Sequence, residues 1–255
     1  MRAINIKKFS ILLEPSGKTP APAITIAAFK ALGIEQDPIL LVLSSDHEIL
    51  DVNKFTLAIK AGINYAKEGK LAIFGILPKL PETGYGYIKG SKPFDINKLE
   101  AIKIEKFLEK PNLDTAKKLI KDKRYTWNSG MFIFKAKTIL EEIQKFTPEV
   151  IKNCEIAFNK SKHDLDFQRL DKSSFNKCPN ISIDVAVMEK TNKGVVLPLD
   201  AGWSDIGSWQ AVWEISEKDN NGNFLKGNVM ANDTKNSYLR SENKLLVALG
   251  IEDVI

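Results

Sequence analysis

Short apolar runs and amphipathic helical patterns succeed one another through the first two thirds of the chain. PILLVLSS (38–45) is a run of β-forming residues that ends in Ser44-Ser45-Asp46-His47, the pattern of a buried strand feeding a polar loop. KFTLAIKAGINYAKEGK (54–70) carries apolar residues at Phe55, Leu57, Ala58, Ala61 and Tyr65, with Gly69 near its end, and predicts an amphipathic helix. LAIFGI (71–76) is the next buried strand. This β-α-β succession predicts an α/β fold with a helix-flanked, mixed and mostly parallel sheet. LPKLPETGYGYIKG (77–90) is loop-like, and IKIEKFLEKP (102–111) is a strand stopped by Pro111. NLDTAKKLIKDKR (112–124) is a helix opened by Asn112 or Asp114. MFIF (131–134) reads as a strand and AKTILEEIQKF (136–146) as a helix ended by Thr147-Pro148. Residues 149–180 are polar and helical in pieces.

From Gly222 onward the pattern changes. KGNVMA, NSYLRS, KLLVALG and EDVI are short β-like segments separated by Asn-rich turns, with no helix between them. They predict a small all-β unit or the first coils of a β-solenoid, and the chain stops at Ile255 inside an apolar segment. The expected division is therefore an α/β domain over 1–221 and a β unit over 222–255.

Length and composition narrow the picture. The 255 residues suffice for one large domain or a domain with an appendage, and 44% hydrophobic residues is ordinary for a folded chain. No apolar run reaches the length of a bilayer span, and the N-terminal MRAINIKKFSILLEPSG lacks the layout of a cleavable signal, so a cytoplasmic protein with no membrane partner is expected. Cys154 and Cys178 make neither a metal-ligand pattern nor a disulfide framework and suit a reducing compartment. The net charge of +5 comes almost entirely from lysine interleaved with acids, and only four arginines are present. That distribution describes a solvated surface and argues against nucleic acid as a partner.

Candidate chemistry lies in six stretches at strand ends, where open α/β sheets build ligand sites. Asp46 can hold a cation at the end of a strand or simply turn the loop. Gly86 of GYGYI allows close approach of a ligand, or serves a plain turn. Glu109 and Lys110 of LEKP stand before a proline, at what is otherwise an exposed strand end. Asn128 of WNSGMF can read a hydroxyl or belong to a turn before the strand. In SIDVAVMEK, Asp184 can cap a helix and Lys190 can reach a phosphate. In AGWSDIGSW (201–209), Ser204 or Asp205 can cap the helix-like run that follows, while Asp205 can also ligate a metal.

In this order PILLVLSSDH, PETGYGYI, FLEKP, YTWNSGMFIF, SIDVAVMEK and AGWSDIGSW resemble the mannose-1-phosphate guanylyltransferases, members of the sugar-nucleotide pyrophosphorylases. LLEPSGKTPAPAITIAA (12–28) is similar to the same family's LEP-x-G-[RK]-N-T-A-P-A-I segment, with Thr19-Pro20 where Asn-Thr is usual. The resemblance implies a Rossmann-like nucleotidyltransferase domain followed by a left-handed β-helix. It implies transfer of a guanylyl group from GTP to α-D-mannose 1-phosphate, giving GDP-mannose and pyrophosphate, with Mg²⁺ as the cation. Carried over by position, Asp46 and Asp205 correspond to metal-binding carboxylates. Gly86, Glu109 and Asn128 correspond to groups around the mannose hydroxyls and Lys110 to a sugar-phosphate contact, with Asp184 and Lys190 lining the same side. The chain departs from the family at Ser44-Ser45, where Pro-Ala is usual, and at Val185, where tyrosine is usual. The family's glycine-rich loop G-G-x-G-x-R-L-W-P-L-S-R, which cradles nucleotide phosphates, has no counterpart in the 255 residues. The resemblance therefore implies a chain truncated at both ends and impaired alone, whose missing segment a companion chain could supply, with a homodimer as the other possible assembly. A non-catalytic sugar-phosphate-binding remnant and a related hexose-1-phosphate nucleotidyltransferase are the alternatives.

Overall fold

The structure, a computed structural model, describes residues 9–255. They form two compact units, one running up to Ser44 and resuming over Val52–Asp200, the other made of Ser45–Asp51 and Ala201–Ile255.

In the first unit, β1 (Ile11–Leu13) precedes α1 (Pro20–Leu32) and β2 (Ile39–Val42). The second unit's β3 (Glu48–Ile49) interrupts, and α2 (Val52–Lys67), β4 (Leu71–Ile76), β5 (Tyr87–Gly90) and β6 (Ile102–Leu108) follow. Next come α3 (Leu113–Leu119), β7 (Tyr125–Lys135), α4 (Ala136–Phe146) and α5 (Pro148–Asn159). A hairpin of β8 (Lys162–Asp164) and β9 (Phe167–Arg169), α6 (Lys172–Asn176), one turn of π-helix (Asp184–Met188) and β10 (Gly194–Leu199) complete the unit.

Most predicted elements lie where the pattern puts them, and their ends have local causes. Pro20 opens α1 at a position whose N–H would be unbonded anyway, and Pro148 does the same for α5. The Asn112 carboxamide accepts from the Thr115 N–H at 2.9 Å and caps α3. Gly69, at φ +77°, follows the end of α2.

The sheet corrects one expectation. Its order is β2-β7-β4-β10-β6-β5, and β5 also pairs with β7, so that five of the strands close on themselves. Only β4 and β10 run parallel, so the sheet is mixed but mostly antiparallel. The β-α-β pattern is half realised. β2 and β4 point the same way, but β7 is inserted between them, antiparallel to both. An uninterrupted apolar strand shows that both faces are covered; it does not show its neighbour's direction.

Both faces are indeed covered. On one, Leu71, Ile73, Phe132 and Phe134 share a core with Ile24 and Ala28 of α1, Ile139 and Ile143 of α4, and Val150 of α5. Toward the other, Phe74 meets Phe55 of α2 with ring centroids 5.8 Å apart. Burying aromatic and aliphatic side chains of this size contributes about 1.5–3 kcal/mol each.

β7 carries the irregularity that matters most for the site. Against β4, Ile73 pairs with Phe132 but Gly75 pairs with Asn128, so β7 holds two extra residues in this stretch. This bulge lies at Ser129-Gly130-Met131, and Gly130 takes φ +68°, a conformation glycine adopts without Cβ strain. The buried Ser129 hydroxyl donates to the Phe74 carbonyl at 2.6 Å, while the Asn128 side-chain Oδ1 accepts from the Gly130 N–H at 2.9 Å. WNSG is thus the interior of a strand, where the sequence suggested a turn before one.

The second unit pairs β3 antiparallel with β11 (Trp203–Ser204) and continues through α7 (Trp209–Ile215) into β12 (Phe224–Asn232) and β13 (Tyr238–Leu249). The expected N-cap is corrected. Ser208 caps α7 by accepting from the Ala211 N–H at 3.1 Å, whereas Ser204 and Asp205 accept from Ile206 and Gly207 in the preceding turns. Ile206 has φ +49°, which excludes it from a right-handed helix and delays the helix start.

β12 and β13 pair in parallel although only residues 233–237 join them. Parallel strands normally need a crossover of about a dozen residues. The short link works because each strand is itself bent around a coil: Phe224 stacks on Tyr238 and Asn232 pairs with Leu249. Gly227, at φ +87°, sits where a Cβ would collide with the Ser241 carbonyl. Buried Asn223 ties the corners by donating to the Thr234 carbonyl (2.8 Å) and accepting from the Ser237 N–H (3.0 Å). The predicted change of character after Gly222 is therefore a stacked parallel coil.

At Gly75 a Cβ would overlap the Thr126 side chain and approach Val196 Cγ2 to 2.6 Å, both in the interior. Gly75→Ala is expected to destabilise the chain by about 1–3 kcal/mol, read as a lower urea midpoint at unchanged slope.

Candidate active site

Four of the predicted residues converge in the first unit. β5 begins just after Gly86, β6 ends just before Glu109, and β7 carries Asn128. β5 pairs with both β6 and β7, so Gly86 is brought between them. The Asn128 N–H donates to the Gly86 carbonyl at 2.8 Å. A Cβ on Gly86 would stand 2.6 Å from Glu109 Oε2 and 3.4 Å from Asn128 Cβ. Glycine here leaves room that the Glu109 carboxylate occupies.

Asp184, opening the π-helical turn, closes the cluster. It accepts from Asn128 Nδ2 at 3.1 Å, and the Gly130 N–H on the other side fixes which way the Asn128 amide points. The expected helix cap at Asp184 is corrected: Ile183 precedes the turn, and the Asp184 side chain serves the cluster. Burial pushes its carboxyl up to about 6, the nearby Glu109 charge adds to this, and the Asn128 hydrogen bond opposes it. Two carboxylates, one oriented amide and a side-chain-free glycine form a set of acceptors and donors suited to vicinal hydroxyls.

Lys110 sits beside this cluster, its Nζ 4.0 Å from Glu109 Oε1 and largely solvent-exposed, so it is held only loosely. Its backbone has φ +43°, a costly conformation for a non-glycine residue, between the end of β6 and Pro111. Lys190 is exposed beyond the π-helical turn, and its N–H bonds the Val187 carbonyl. That bond ties Lys190 to the turn, and the structure does not bring it into the cluster with the other four.

The proposed metal carboxylates both belong to the second unit. Pairing of Ser204 with Glu48 brings the segment holding Asp46 alongside the segment holding Asp205, although 159 positions separate the two residues. Trp203 Nε1 donates to His47 Nδ1 at 3.2 Å, with the rings edge to face, which fixes the loop between Asp46 and β3. Asp46 is exposed, and Asp205 Oδ1 accepts from the Gly207 N–H at 3.1 Å. Among the described residues no group of three or more His, Cys, Asp or Glu is arranged to hold a metal. Carboxylates are nonetheless the donor type that suits Mg²⁺, which binds through one or two of them and completes its shell with water and phosphate.

Ser129, Gly130 and Trp203 support these residues and were not singled out from sequence. The available signal was Asn-Ser-Gly interrupting an otherwise strand-like YTW…MFIF.

A mixed sheet with a coil after it and a polar cluster at its strand ends defines a nucleotidyltransferase architecture, and the comparisons agree. Residues 2–222 match the family described as Nucleotidyl transferase, and the chain belongs to it. Among curated relatives, a putative mannose-1-phosphate guanylyltransferase of Vibrio cholerae serotype O1 is 46% identical over 249 residues, 98% of this chain and 53% of the relative. The mannose-1-phosphate guanylyltransferase of Escherichia coli K12 is 44% identical over 258 residues, 100% of this chain and 54% of its own length. The chain thus spans about half the length of the curated relatives it matches. Among solved structures, one described as mannose-1-phosphate geranyltransferase from Thermus thermophilus superimposes with TM-score 0.79 at 28% identity, covering 95% of this chain and 69% of that one. Another, described as mannose-6-phosphate isomerase from Helicobacter pylori, gives 0.69 at 34% identity, covering 79% and 76%. Among the described residues no helix is long and apolar enough to cross a membrane.

The Asp184 shift has a stability consequence with a defined sign. Its folded pKa, about 6, lies above the ordinary 3.8, so the folded state holds the proton more tightly. The charged carboxylate therefore costs stability that is fully felt above about pH 6 and fully relieved below about 3.8. Asp184→Asn removes the titration, so the variant's stability relative to the parent should rise between pH 4 and pH 7 by on the order of 3 kcal/mol. Urea unfolding at the two pH values measures it, and a pH-independent difference would contradict the assignment.

Proposed function

We propose that this chain carries the sugar-phosphate half of a mannose-1-phosphate guanylyltransferase. The observation that carries the reading is the Gly86–Glu109–Asn128–Asp184 cluster, in a chain that over 100% of its own length is 44% identical to 54% of the Escherichia coli K12 enzyme of that name. Mannose 1-phosphate binds with its hydroxyls donating to the Glu109 and Asp184 carboxylates and accepting from the Asn128 amide. Lys110, weakly held and exposed, swings to the sugar phosphate.

In the reaction a phosphate oxygen of the sugar attacks the α-phosphorus of GTP, the bond to the bridging oxygen breaks, and pyrophosphate leaves. Asp46 and Asp205 would hold Mg²⁺, which supplies charge neutralisation for the two phosphates when bound. The chain's own contribution is positioning: the cluster fixes the sugar, and the phosphate is thereby presented in one orientation. A segment with a glycine-rich phosphate cradle, in the same polypeptide or in a companion chain, holds the nucleotide, and a homodimer is the other assembly compatible with this reading. The parallel coil after Gly222 is read as the opening of a left-handed β-helix, and the enzyme as cytoplasmic, where GTP is available.

Pyrophosphate release from GTP, mannose 1-phosphate and Mg²⁺ tests the activity, with and without a chain carrying the cradle segment. Turnover that requires mannose 1-phosphate is expected, and equal turnover with glucose 1-phosphate would redirect the reading to a broader hexose-1-phosphate enzyme. Two variants test the site through ligand binding. Gly86→Ala displaces the Glu109 carboxylate, the mobile end of a side chain, so mannose 1-phosphate affinity should fall about tenfold or more at nearly unchanged stability. Asp205→Asn preserves the turn onto Gly207 and leaves the Ser208 cap untouched, so Mg²⁺-dependent binding should vanish while the circular dichroism spectrum and Tm are retained.

A further inference from the structure

Cys154 lies on α5 and Cys178 just beyond α6, and both are buried in the core of the first unit. Their Sγ atoms are 3.6 Å apart and unbonded. A disulfide holds its sulfurs at about 2.05 Å, so closure asks for a relative shift of about 1.5 Å. The pair is asymmetric. The hydrogen bond from the Cys154 thiol pushes Cys178 below the usual thiol range, and the Lys18 charge helps, while the same bond, together with burial, pushes Cys154 up.

The surroundings give the pair an output. The segment around Cys178 anchors the LEPSGKT loop through four hydrogen bonds. Ser16 Oγ donates to Asn176 Oδ1 at 2.9 Å, and Lys18 Nζ donates to the Cys178 carbonyl at 2.6 Å. The Thr19 N–H and hydroxyl both donate to Asn180 Oδ1, at 2.8 and 3.1 Å. Cys154 faces the other end of the same region, its Sγ 3.8 Å from the Pro22 carbonyl in the first turn of α1. The loop and the start of α1 are therefore held between the two cysteine-bearing segments.

We propose that Cys154 and Cys178 are a peroxide-responsive thiol pair that closes to an intramolecular disulfide and thereby tightens the anchoring of residues 16–19. The Cys178 thiolate attacks one oxygen of hydrogen peroxide, the O–O bond breaks, and Cys178 becomes a sulfenic acid with loss of hydroxide. The Cys154 sulfur then attacks the Cys178 sulfur; the S–O bond breaks and, with the Cys154 proton, water leaves. The net change is two thiols and one peroxide to one disulfide and two waters. Both thiols are at most 2% exposed, so only a small oxidant reaches them, through local opening of the five-residue α6.

The test treats the 255-residue chain with hydrogen peroxide and then alkylates it after denaturation for peptide mapping. The expected product is a single 154–178 cross-link lacking two hydrogens, reversed by dithiothreitol, with both thiols lost together. An aromatic disulfide reagent should leave the native chain unreacted and titrate both thiols once it is denatured. Hydrogen exchange in the 14–20 peptide should slow in the oxidised form. In Cys154→Ala the Cys178 thiol loses the hydrogen bond that lowers it, so it should oxidise more slowly than in the parent chain and stop at a sulfenic acid, trapped by a cyclic 1,3-diketone, while Cys178→Ala should leave Cys154 unmodified. Independent sulfinic acids, cross-links between chains, or two alkylatable thiols after peroxide would overturn the proposal. Unchanged exchange at 14–20 would overturn its coupling to the loop. If either variant fails to fold, the peptide map of the parent chain decides alone.

Discussion

The hydrogen bond from the buried Ser129 hydroxyl to the Phe74 carbonyl is the point on which the candidate site turns. A bulge in the middle of a buried strand leaves backbone groups without ladder partners, and each would cost about 1–3 kcal/mol if left unpaired. Here the residues of the bulge supply the partners themselves. Ser129 satisfies Phe74 and accepts from the Met131 N–H, while Asn128 satisfies Gly130. The same bonds that make the bulge tolerable orient Asn128, so its amide nitrogen meets Asp184 and its backbone meets Gly86. Site geometry and sheet stability are one set of bonds. Removing the bulge would restore a regular ladder and turn Asn128 to a different face.

The segments that carry Asp46 and Asp205 have a weaker frame. A two-residue antiparallel pairing and one Trp-His contact bring the Asp46 and Asp205 segments together. Such a pairing is too short to be stable by itself. Backbone bonds from Leu50 and Asp51 to the carbonyls of Gly202 and Ala201 extend it. This arrangement brings two segments that are distant in sequence together and leaves Asp46 exposed, with no buried charge to desolvate.

Element type was legible wherever periodicity was strong: α2, α4 and β4 lie where their patterns placed them. Strand direction was not, because burial of both faces determines composition and leaves the pairing partner open. β7 shows the harder limit. Asn-Ser-Gly is turn chemistry, favouring left-handed backbone and local side-chain bonds, and a bulge uses that chemistry inside a strand. From sequence the two cannot be told apart. A similar ambiguity put the cap of α7 at Ser204 or Asp205, since three good capping residues occur within five positions and only the φ of Ile206 selects Ser208. The grouping of Gly86, Glu109 and Asn128 was legible only through the resemblance; no spacing within one chain predicts that the ends of β5 and β6 meet the bulge of β7.

Backbone strain gives an independent reason to read these strand ends as functional. Six non-glycine residues among those described have positive φ. Asp233, Asn236 and Asp253 lie at corners of the coil, where Asp and Asn adopt that conformation at little cost, and Leu165 is at the tip of the β8–β9 hairpin. The remaining two, Lys110 and Ile206, occupy neither kind of turn. One immediately follows Glu109 and the other immediately follows Asp205. A strained residue of this kind costs about 1–3 kcal/mol, and a β-branched one such as Ile206 is the least tolerant. Ordinary turns at these places could be built from glycine or asparagine without that cost. Two separate motifs, in different units of the chain, each retain a strained residue beside a carboxylate, so the backbone there is better explained by aiming side chains than by connecting elements.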